Sequence, residues 1–201
     1  MLQRLLDGYR AFRDGHWPQV RQHYERLADR QRPDTLIIAC SDSRVDPHAI
    51  FNAGPGELFI IRNVANVVPP CERGPGQHGT SAAIEFAVTK LEVQTILVLG
   101  HARCGGVAAA LDHTIGADTM FLSSWISLLE PAAERVAQQH DPQTALERES
   151  IIQSLERLRE FPFVAEAIRT RGLALEGARY GVADGRLEVY DAATKDFQNV
   201  T

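Results

Sequence analysis

The sequence predicts an α/β protein with a parallel β-sheet core, an added antiparallel strand and flanking helices. Three short apolar runs, at residues 35–39, 58–61 and 95–99, predict the core strands. Continuous runs of Ile, Leu and Val are typical of strands buried on both faces, as in parallel sheets. Residues 80–91 carry apolar positions at helical spacing and supply the crossover that parallel strands require. Near the end of the chain, Asp184-Gly185 separates two further apolar segments and predicts a hairpin.

The first thirty residues are predicted to form a helical arm, residues 1–30, within a single domain spanning residues 1–201. Pro18 divides this arm into two helical stretches because proline favours the first turn of a helix. The apolar residues of the first stretch lie on one helical face: Leu2, Leu5, Leu6, Tyr9 and Phe12.

The helices after the first strand are indicated by capping residues and periodicity. Asp46 followed by Pro47 predicts a helix cap with proline at the first helical position. Longer helical patterns cover residues 120–136 and 145–158. These helices are expected to flank the sheet.

Composition and charge exclude several classes of function. The chain has 21 basic and 26 acidic side chains, a net charge of −5, so it offers no electrostatic footprint for nucleic acid. No apolar run approaches the roughly 20 residues that span a bilayer, so no membrane partner is expected. Charged residues interrupt the N-terminal stretch too often for a signal peptide, which predicts a cytoplasmic protein.

Two short motifs carry potential metal ligands. Cys40 follows the first apolar run, and His101 and Cys104 follow the third in Gly-His-Ala-Arg-Cys-Gly-Gly. Because parallel strands end at the same edge of a sheet, these side chains are expected to meet there. Two thiolates and one imidazole form a ligand set for one Zn²⁺ ion with a fourth position open.

Asp42 and Arg44, in Cys-Ser-Asp-Ser-Arg, accompany the first ligand. If this segment stays extended, Cys40, Asp42 and Arg44 project to one side, and Arg44 can hold Asp42 in a bidentate pair. Asp42 could fill the fourth zinc position, giving a closed structural site, or take a proton from water held there. Structural zinc sites usually use two tight ligand pairs in small domains, which favours a catalytic zinc that adds or removes water.

These motifs resemble the signature of the β-class carbonic anhydrases: Cys-x-Asp-x-Arg, then His-x-x-Cys-Gly after an apolar strand. The resemblance extends over nearly the whole chain, including residues 56–66 and 81–88. It implies a zinc lyase that hydrates CO2 reversibly to bicarbonate and a proton. It also implies a homo-oligomer, dimer or tetramer, with the N-terminal helices packing on a partner subunit. By this resemblance Cys40, His101 and Cys104 hold zinc, and Asp42 and Arg44 form a catalytic dyad.

The same resemblance assigns residues to the substrate pocket. Gln31, nine residues before the first cysteine, is expected to reach a neighbouring subunit's pocket in the plant-like subtype. The Gly105 amide is an additional donor to the bound anion. An apolar CO2 pocket is assigned to Phe59, Val64 and Phe86, the last of which is commonly tyrosine in the family.

Two positions distinguish the chain from the allosteric bacterial subtype. That subtype has tryptophan and glycine where this sequence has Ile37 and Ala39, so its inhibitory bicarbonate pocket is expected to be absent.

Two other functions are compatible with the same scaffold. CS2 and COS hydrolases share the zinc ligands and differ in access to the pocket. A non-catalytic scaffold or bicarbonate-binding subunit is the third possibility, against which the complete ligand and dyad set argues.

Overall fold

A computed structural model describes residues 1–72, 74, 76–116 and 118–200. The chain separates into two compact units, Met1–Arg32 and Pro33–Thr201. The terminal residue of the predicted 1–201 domain lies outside the described residues. Within the described part, no helix has the length and apolar character needed to cross a membrane.

The N-terminal unit consists of helix α1 (Leu2–Ala11), one π-helical segment (Phe12–His16) and helix α2 (Trp17–Leu27). Pro18 is the second residue of α2 and follows directly on the π-helical segment. The division predicted at Pro18 therefore falls just before it, in the π-helical segment. The predicted apolar face of α1 is exposed: Leu2, Leu5 and Tyr9 are 69%, 61% and 59% accessible.

The second unit is organised around a six-stranded sheet in the order β2-β1-β3-β4-β5-β6. The first four strands are parallel and the last two are antiparallel. Three of the parallel strands are the predicted core strands, and β4, predicted as part of the antiparallel hairpin, is a fourth. The strands are β1 (Thr35–Cys40), β2 (Leu58–Asn63), β3 (Thr95–His101), β4 (Ala174–Tyr180), β5 (Leu187–Asp191) and β6 (Asp196–Asn199). The sequence predicted one added antiparallel strand, and β6 is a second. Its Asp-Phe-Gln-Asn sequence lacks the apolar alternation that marks a strand.

The helices of this unit are α3 (Pro47–Ile50), α4 (Gly79–Thr89), α5 (Gly105–Asp112), α6 (Leu122–Ile126), α7 (Glu130–Val136), α8 (Pro142–Glu160) and α9 (Pro162–Arg171). Helix α4 is the predicted crossover. Asp46 caps α3 by accepting a hydrogen bond from the His48 N–H, and Pro47 is its first residue, as predicted. The stretch at 120–136 is divided by a turn of 3-10 helix, Ser127–Leu129. Helix α9 was not predicted from the sequence.

The parallel strands are buried on both faces because successive side chains point to opposite sides. On one face, Leu36, Ile38 and Val98 join a core completed by residues of α4, α8 and α9. On the other face, Ile37, Ala39 and Leu99 form a smaller cluster. A third cluster packs around the carboxyl ends of β1 and β3, between α5, α7 and the start of α8. This third cluster contains the predicted zinc ligands Cys40 and Cys104.

The β5 carboxylate of Glu188 provides a pH-dependent contribution to stability. Burial opposes its charge, but the Arg148 guanidinium at 2.7 Å and the charge of Arg179 outweigh this and lower the pKa of Glu188. A lowered folded-state pKa gives stability that is present above the unfolded pKa of about 4.3 and is lost as the pH falls through the folded value. We expect Glu188→Gln to reduce the free energy of unfolding at pH 7 by about 1.5–3 kcal/mol.

Urea unfolding of wild type and Glu188→Gln across pH 3–7 measures this contribution, and the difference between them should shrink toward the acidic end. Glu166→Gln is the matched control, because its ion pair with Arg169 is exposed on both sides. A Glu188→Gln difference that is the same at both ends of the range would contradict the assignment.

Candidate metal centre

The predicted ligands are brought together by two neighbouring strands and one helix. Cys40 is the last residue of β1 and His101 the last residue of β3, and these strands pair in parallel. Their carboxyl ends therefore lie side by side, as predicted. The chain then turns through Arg103, whose φ is 56°, and Cys104 becomes the N-cap of α5.

The three ligand atoms form one compact, buried group. They all lie within 4.8 Å of one another, and the Sγ atoms of Cys40 and Cys104 are 3.9 Å apart. Within the described ranges, no other set of three or more His, Cys, Asp and Glu ligand atoms meets this criterion. His101 Nδ1 lies 3.0 Å from the Ala102 carbonyl oxygen and donates to it. This hydrogen bond leaves the Nε2 lone pair for a metal, and Nε2 is buried with no hydrogen-bond partner among the described atoms.

This group fits one zinc ion per chain. Zinc–sulfur bonds of about 2.3 Å in tetrahedral geometry place two sulfurs about 3.8 Å apart, close to the observed separation. A buried imidazole nitrogen without a partner is costly unless it binds something. Cys40, His101 and Cys104 therefore fit three of four zinc positions, and no other ligand atom of the described residues joins the group.

The electrostatics of the cluster favour a Cys40 thiolate that shares the proton of the Cys104 thiol. A hydrogen bond from the Cys104 thiol lowers the pKa of Cys40, and that same bond, with burial, raises the pKa of Cys104. The backbone N–H groups of Val107 and Gly106, at the start of α5, oppose this rise. Burial disfavours a charged His101, but the neighbouring Cys40 sulfur and the hydrogen bond to the Ala102 carbonyl oxygen outweigh it and raise the pKa of His101. A divalent cation replaces these shared protons and neutralises both thiolates.

Asp42 and Arg44 form the predicted bidentate pair, by a different backbone route. Asp42 Oδ1 accepts hydrogen bonds from the backbone N–H and Nε of Arg44, both at 2.9 Å, and Oδ2 accepts one from Nη2 at 2.7 Å. The segment is a tight turn rather than the predicted extended strand, because the Asp42 carboxylate captures the backbone N–H two residues later. Hydrogen bonding to Arg44 holds the pKa of Asp42 well below its usual range.

The Asp42 carboxylate lies beside the ligand group without joining it. Its Oδ2 is 3.9 Å from His101 Nε2. Both carboxylate oxygens are engaged by Arg44, whose Nη2 also donates to the Arg103 carbonyl oxygen at 3.0 Å. The chain's own contacts therefore hold Asp42 as an ionised acceptor next to the fourth zinc position.

Arg62, near the end of β2, was missed by the sequence analysis and holds the Cys40–Asp42 segment in place. Its Nε donates to the Cys40 carbonyl oxygen at 2.9 Å, and its Nη2 donates to the carbonyl oxygens of Asp42 and Val45, both at 2.7 Å. The available signal was a lone arginine at the end of an otherwise apolar strand run. Gln143 and Glu147 of α8 were missed as well, although both contact Cys104.

The predicted pocket residues fall into two groups. Val64 and Gly105 are near the ligands: Gly105 begins α5, and a Cβ at Gly106 would lie 3.0 Å from the Val64 side chain. Phe59 pairs in register with Leu36, four residues before the end of β1 and about 13 Å back along the strand.

The remaining two pocket residues lie on other elements. Phe86, on α4, packs against Phe59 with the two rings tilted and their centroids 5.9 Å apart. Gln31 belongs to the N-terminal unit. The two phenylalanines therefore form one pair set back from the edge of the sheet that carries the ligands.

Comparison with known proteins identifies the family. The model of the carbonic anhydrase family matches residues 35–187, and the chain belongs to that family. Its β class is shown by a relative named beta carbonic anhydrase 3, from Arabidopsis thaliana, which is 35% identical over 94% of this chain and 77% of its own length. The chain is 40% identical to beta carbonic anhydrase 5, chloroplastic, of the same organism and spans 63% of that relative's length.

Two further comparisons cover most of both proteins. A carbonic anhydrase of Pseudomonas aeruginosa strain PAO1 is 37% identical over 96% of this chain and 89% of its own length. The solved structure of the β-carbonic anhydrase CcaA superposes with a TM-score of 0.93 at 31% identity, covering 100% of this chain and 92% of that one. The likeness therefore includes the parallel sheet and the elements that position the ligand group.

Proposed function

We propose that this protein catalyses the reversible hydration of CO2 to bicarbonate and a proton. The observation that carries the proposal is an ionised carboxylate, Asp42, held beside a Cys-His-Cys zinc site whose fourth position the chain leaves open. A purely structural zinc needs a fourth protein ligand, and Arg44 restrains the Asp42 carboxylate beside the site. Membership of the β-carbonic anhydrase family supports the same reaction.

Each residue around the open position has a definite task. Zinc, when bound, acts as a Lewis acid that makes water nucleophilic near neutral pH, chemistry for which carbonic anhydrase is the standard example. Asp42 accepts a hydrogen bond from the attacking oxygen and directs its lone pair toward the CO2 carbon. Arg44 keeps Asp42 ionised and oriented. The Gly105 N–H, at the start of α5, donates to the oxygens on which negative charge develops.

The rest of the pocket is proposed to come from a second copy of the chain. Phe59 and Phe86 lie back from the ligand-bearing edge, and Phe86 is 44% exposed, so a neighbouring subunit can use this pair as an apolar wall for CO2. Val64 supplies the apolar contact within the same subunit. Gln31 is proposed to hydrogen-bond the substrate in the neighbouring pocket. A homodimer is the smallest assembly that completes two such pockets, and a tetramer pairs two dimers.

The N-terminal arm is proposed to pack on the partner subunit, because its apolar face is exposed on α1. We expect deletion of residues 1–29 to weaken dimerisation at least tenfold, since it removes several large apolar side chains from the interface. Sedimentation velocity over a dilution series measures the dissociation constant. Leu5→Gln with Leu6→Gln tests the face at full chain length, and Gln3→Ala on the same helix is the control. A deletion variant that dimerises as tightly as wild type would contradict the proposal.

The test of function is stopped-flow CO2 hydration by protein of measured zinc content, beside sulfide release from COS and CS2. One zinc per chain with rapid CO2 hydration supports the proposal. Full zinc with sulfide release and no CO2 hydration would assign the protein to the CS2 and COS hydrolases. Full zinc without either activity would indicate a non-catalytic bicarbonate-binding or scaffold subunit.

The plant-like, non-allosteric subtype is proposed from the buried side chains near Cys40. Ile37 and Ala39 are 1% and 0% exposed and fill the sheet face where the allosteric subtype has tryptophan and glycine. We also propose a cytoplasmic location, because none of the three cysteines forms a disulfide and two are zinc ligands that must stay reduced.

A further inference from the structure

Two side chains of α8 hold both backbone polar groups of the zinc ligand Cys104. Glu147 Oε1 accepts a hydrogen bond from the Cys104 N–H at 3.3 Å. Gln143, one turn earlier on the same helix, donates from Nε2 to the Cys104 carbonyl oxygen at 3.3 Å and to Glu147 Oε1 at 2.7 Å. The peptide groups on either side of Cys104 are thus held in place by the side chains of Glu147 and Gln143.

The Glu147 carboxylate is itself held rigidly and kept from water. Its side chain is 1% exposed, and Oε2 accepts two hydrogen bonds from Arg179, from Nε at 2.8 Å and Nη2 at 2.7 Å. Arg179 also pairs with Glu188, which pairs with Arg148. A chain of alternating charges therefore runs from the Cys104 peptide through β4 to β5.

Stability alone does not explain a carboxylate at this position. Glu147 lies on the buried side of α8 with Ser150, Ile151 and Leu155. A buried ion pair is often no more stabilising than well-packed apolar residues, since desolvation offsets its attraction. An apolar side chain, however, cannot accept the Cys104 N–H or orient Gln143.

We propose that Glu147 is a positioning residue of the metal centre. Its carboxylate, anchored by Arg179, fixes the Cys104 peptide so that Cys104 Sγ stays within reach of Cys40 and His101 and retains zinc. This inference rests on the zinc site of the proposed function and is independent of the substrate.

Glu147→Gln tests this role because glutamine has nearly the same size as glutamate but only one accepting oxygen. It cannot accept hydrogen bonds from both the Cys104 N–H and Arg179. If its amide oxygen faces Arg179, its NH2 group faces the Cys104 N–H, and two donors oppose each other. If the amide is reversed, the conflict moves to Arg179. We expect zinc to dissociate about 10- to 100-fold faster, the usual range when a group behind a metal ligand is lost. Release to a chromogenic chelator measures the rate, and the absorption of the cobalt-substituted protein reports the thiolate geometry.

Glu149→Gln is the matched control on the same helix, because Glu149 pairs with Arg135 and, among the described residues, forms no hydrogen bond with Cys104. It should leave zinc release and the cobalt spectrum unchanged. If Glu147→Gln does not fold, Gln143→Met removes the donor to the Cys104 carbonyl oxygen and should give the same change to a smaller extent. Zinc release and a cobalt spectrum like those of wild type in the folded variant would overturn the proposal. Wild-type protein that binds no zinc would instead refute the proposed function.

Discussion

Cys104→Ala is expected to lose zinc and CO2 hydration together while remaining folded. Cys104 supplies one of only two thiolates, and its removal leaves a two-ligand site that cannot hold zinc in tetrahedral geometry. We expect activity to fall to the uncatalysed background and zinc content to fall to near zero after dialysis. The fold should persist because the largest core cluster, on the α8 and α9 face of the sheet, contains none of the metal ligands.

Metal analysis, stopped-flow hydration and circular dichroism on the same preparation measure these three effects. Cys71→Ala is the matched control, since Cys71 is a half-buried free cysteine outside the ligand group. It should retain full zinc and full activity. A Cys104→Ala protein that keeps one zinc per chain would show that the metal is held elsewhere.

The second large effect is expected for Asp42→Asn, in the opposite combination: zinc retained and turnover lost. Asparagine matches aspartate in size but carries no charge, so it accepts hydrogen bonds weakly and turns an NH2 group toward either Arg44 or the attacking oxygen. Loss of a positioned proton acceptor typically costs about 10²- to 10⁴-fold in rate, and we expect kcat to fall within that range.

Asp46→Asn is the control for Asp42→Asn, because it lies four residues further along the same loop and asparagine remains a good cap for α3. Its turnover should match wild type. If Asp42→Asn keeps its zinc and its turnover is barely reduced, Asp42 has no part in the reaction.

The features predictable from sequence were those that depend on local spacing. The three apolar runs predicted three of the four parallel strands, and Cys40 and His101 lie at the ends of β1 and β3, so topology alone placed them together. The cap at Asp46 was equally local. The fold and the ligand set were predictable for the same reason. In a parallel sheet the carboxyl ends of all strands lie at one edge, so residues at the ends of neighbouring strands come together there.

The features that escaped prediction depend on contacts between distant segments. Arg62 holds the Cys40 loop from the neighbouring strand, and Glu147 reaches Cys104 from α8, 43 residues away. No local pattern distinguishes such residues from surface charges, although a charge inside an apolar strand or on a buried helix face is a signal. The Asp42–Arg44 turn was missed because side-chain capture of a backbone N–H overrode strand alternation.

The placement of two ligands at adjacent strand ends has a thermodynamic consequence. Interstrand spacing of about 4.8 Å is set by the backbone ladder, so Cys40 and His101 are neighbours before any ion arrives. In zinc-finger peptides, by contrast, metal binding carries the whole entropic cost of folding. Here the apolar core provides the free energy that orders the chain, so the zinc site is formed before the ion binds. Calorimetry of zinc binding to the metal-free protein should therefore record only a small heat-capacity change.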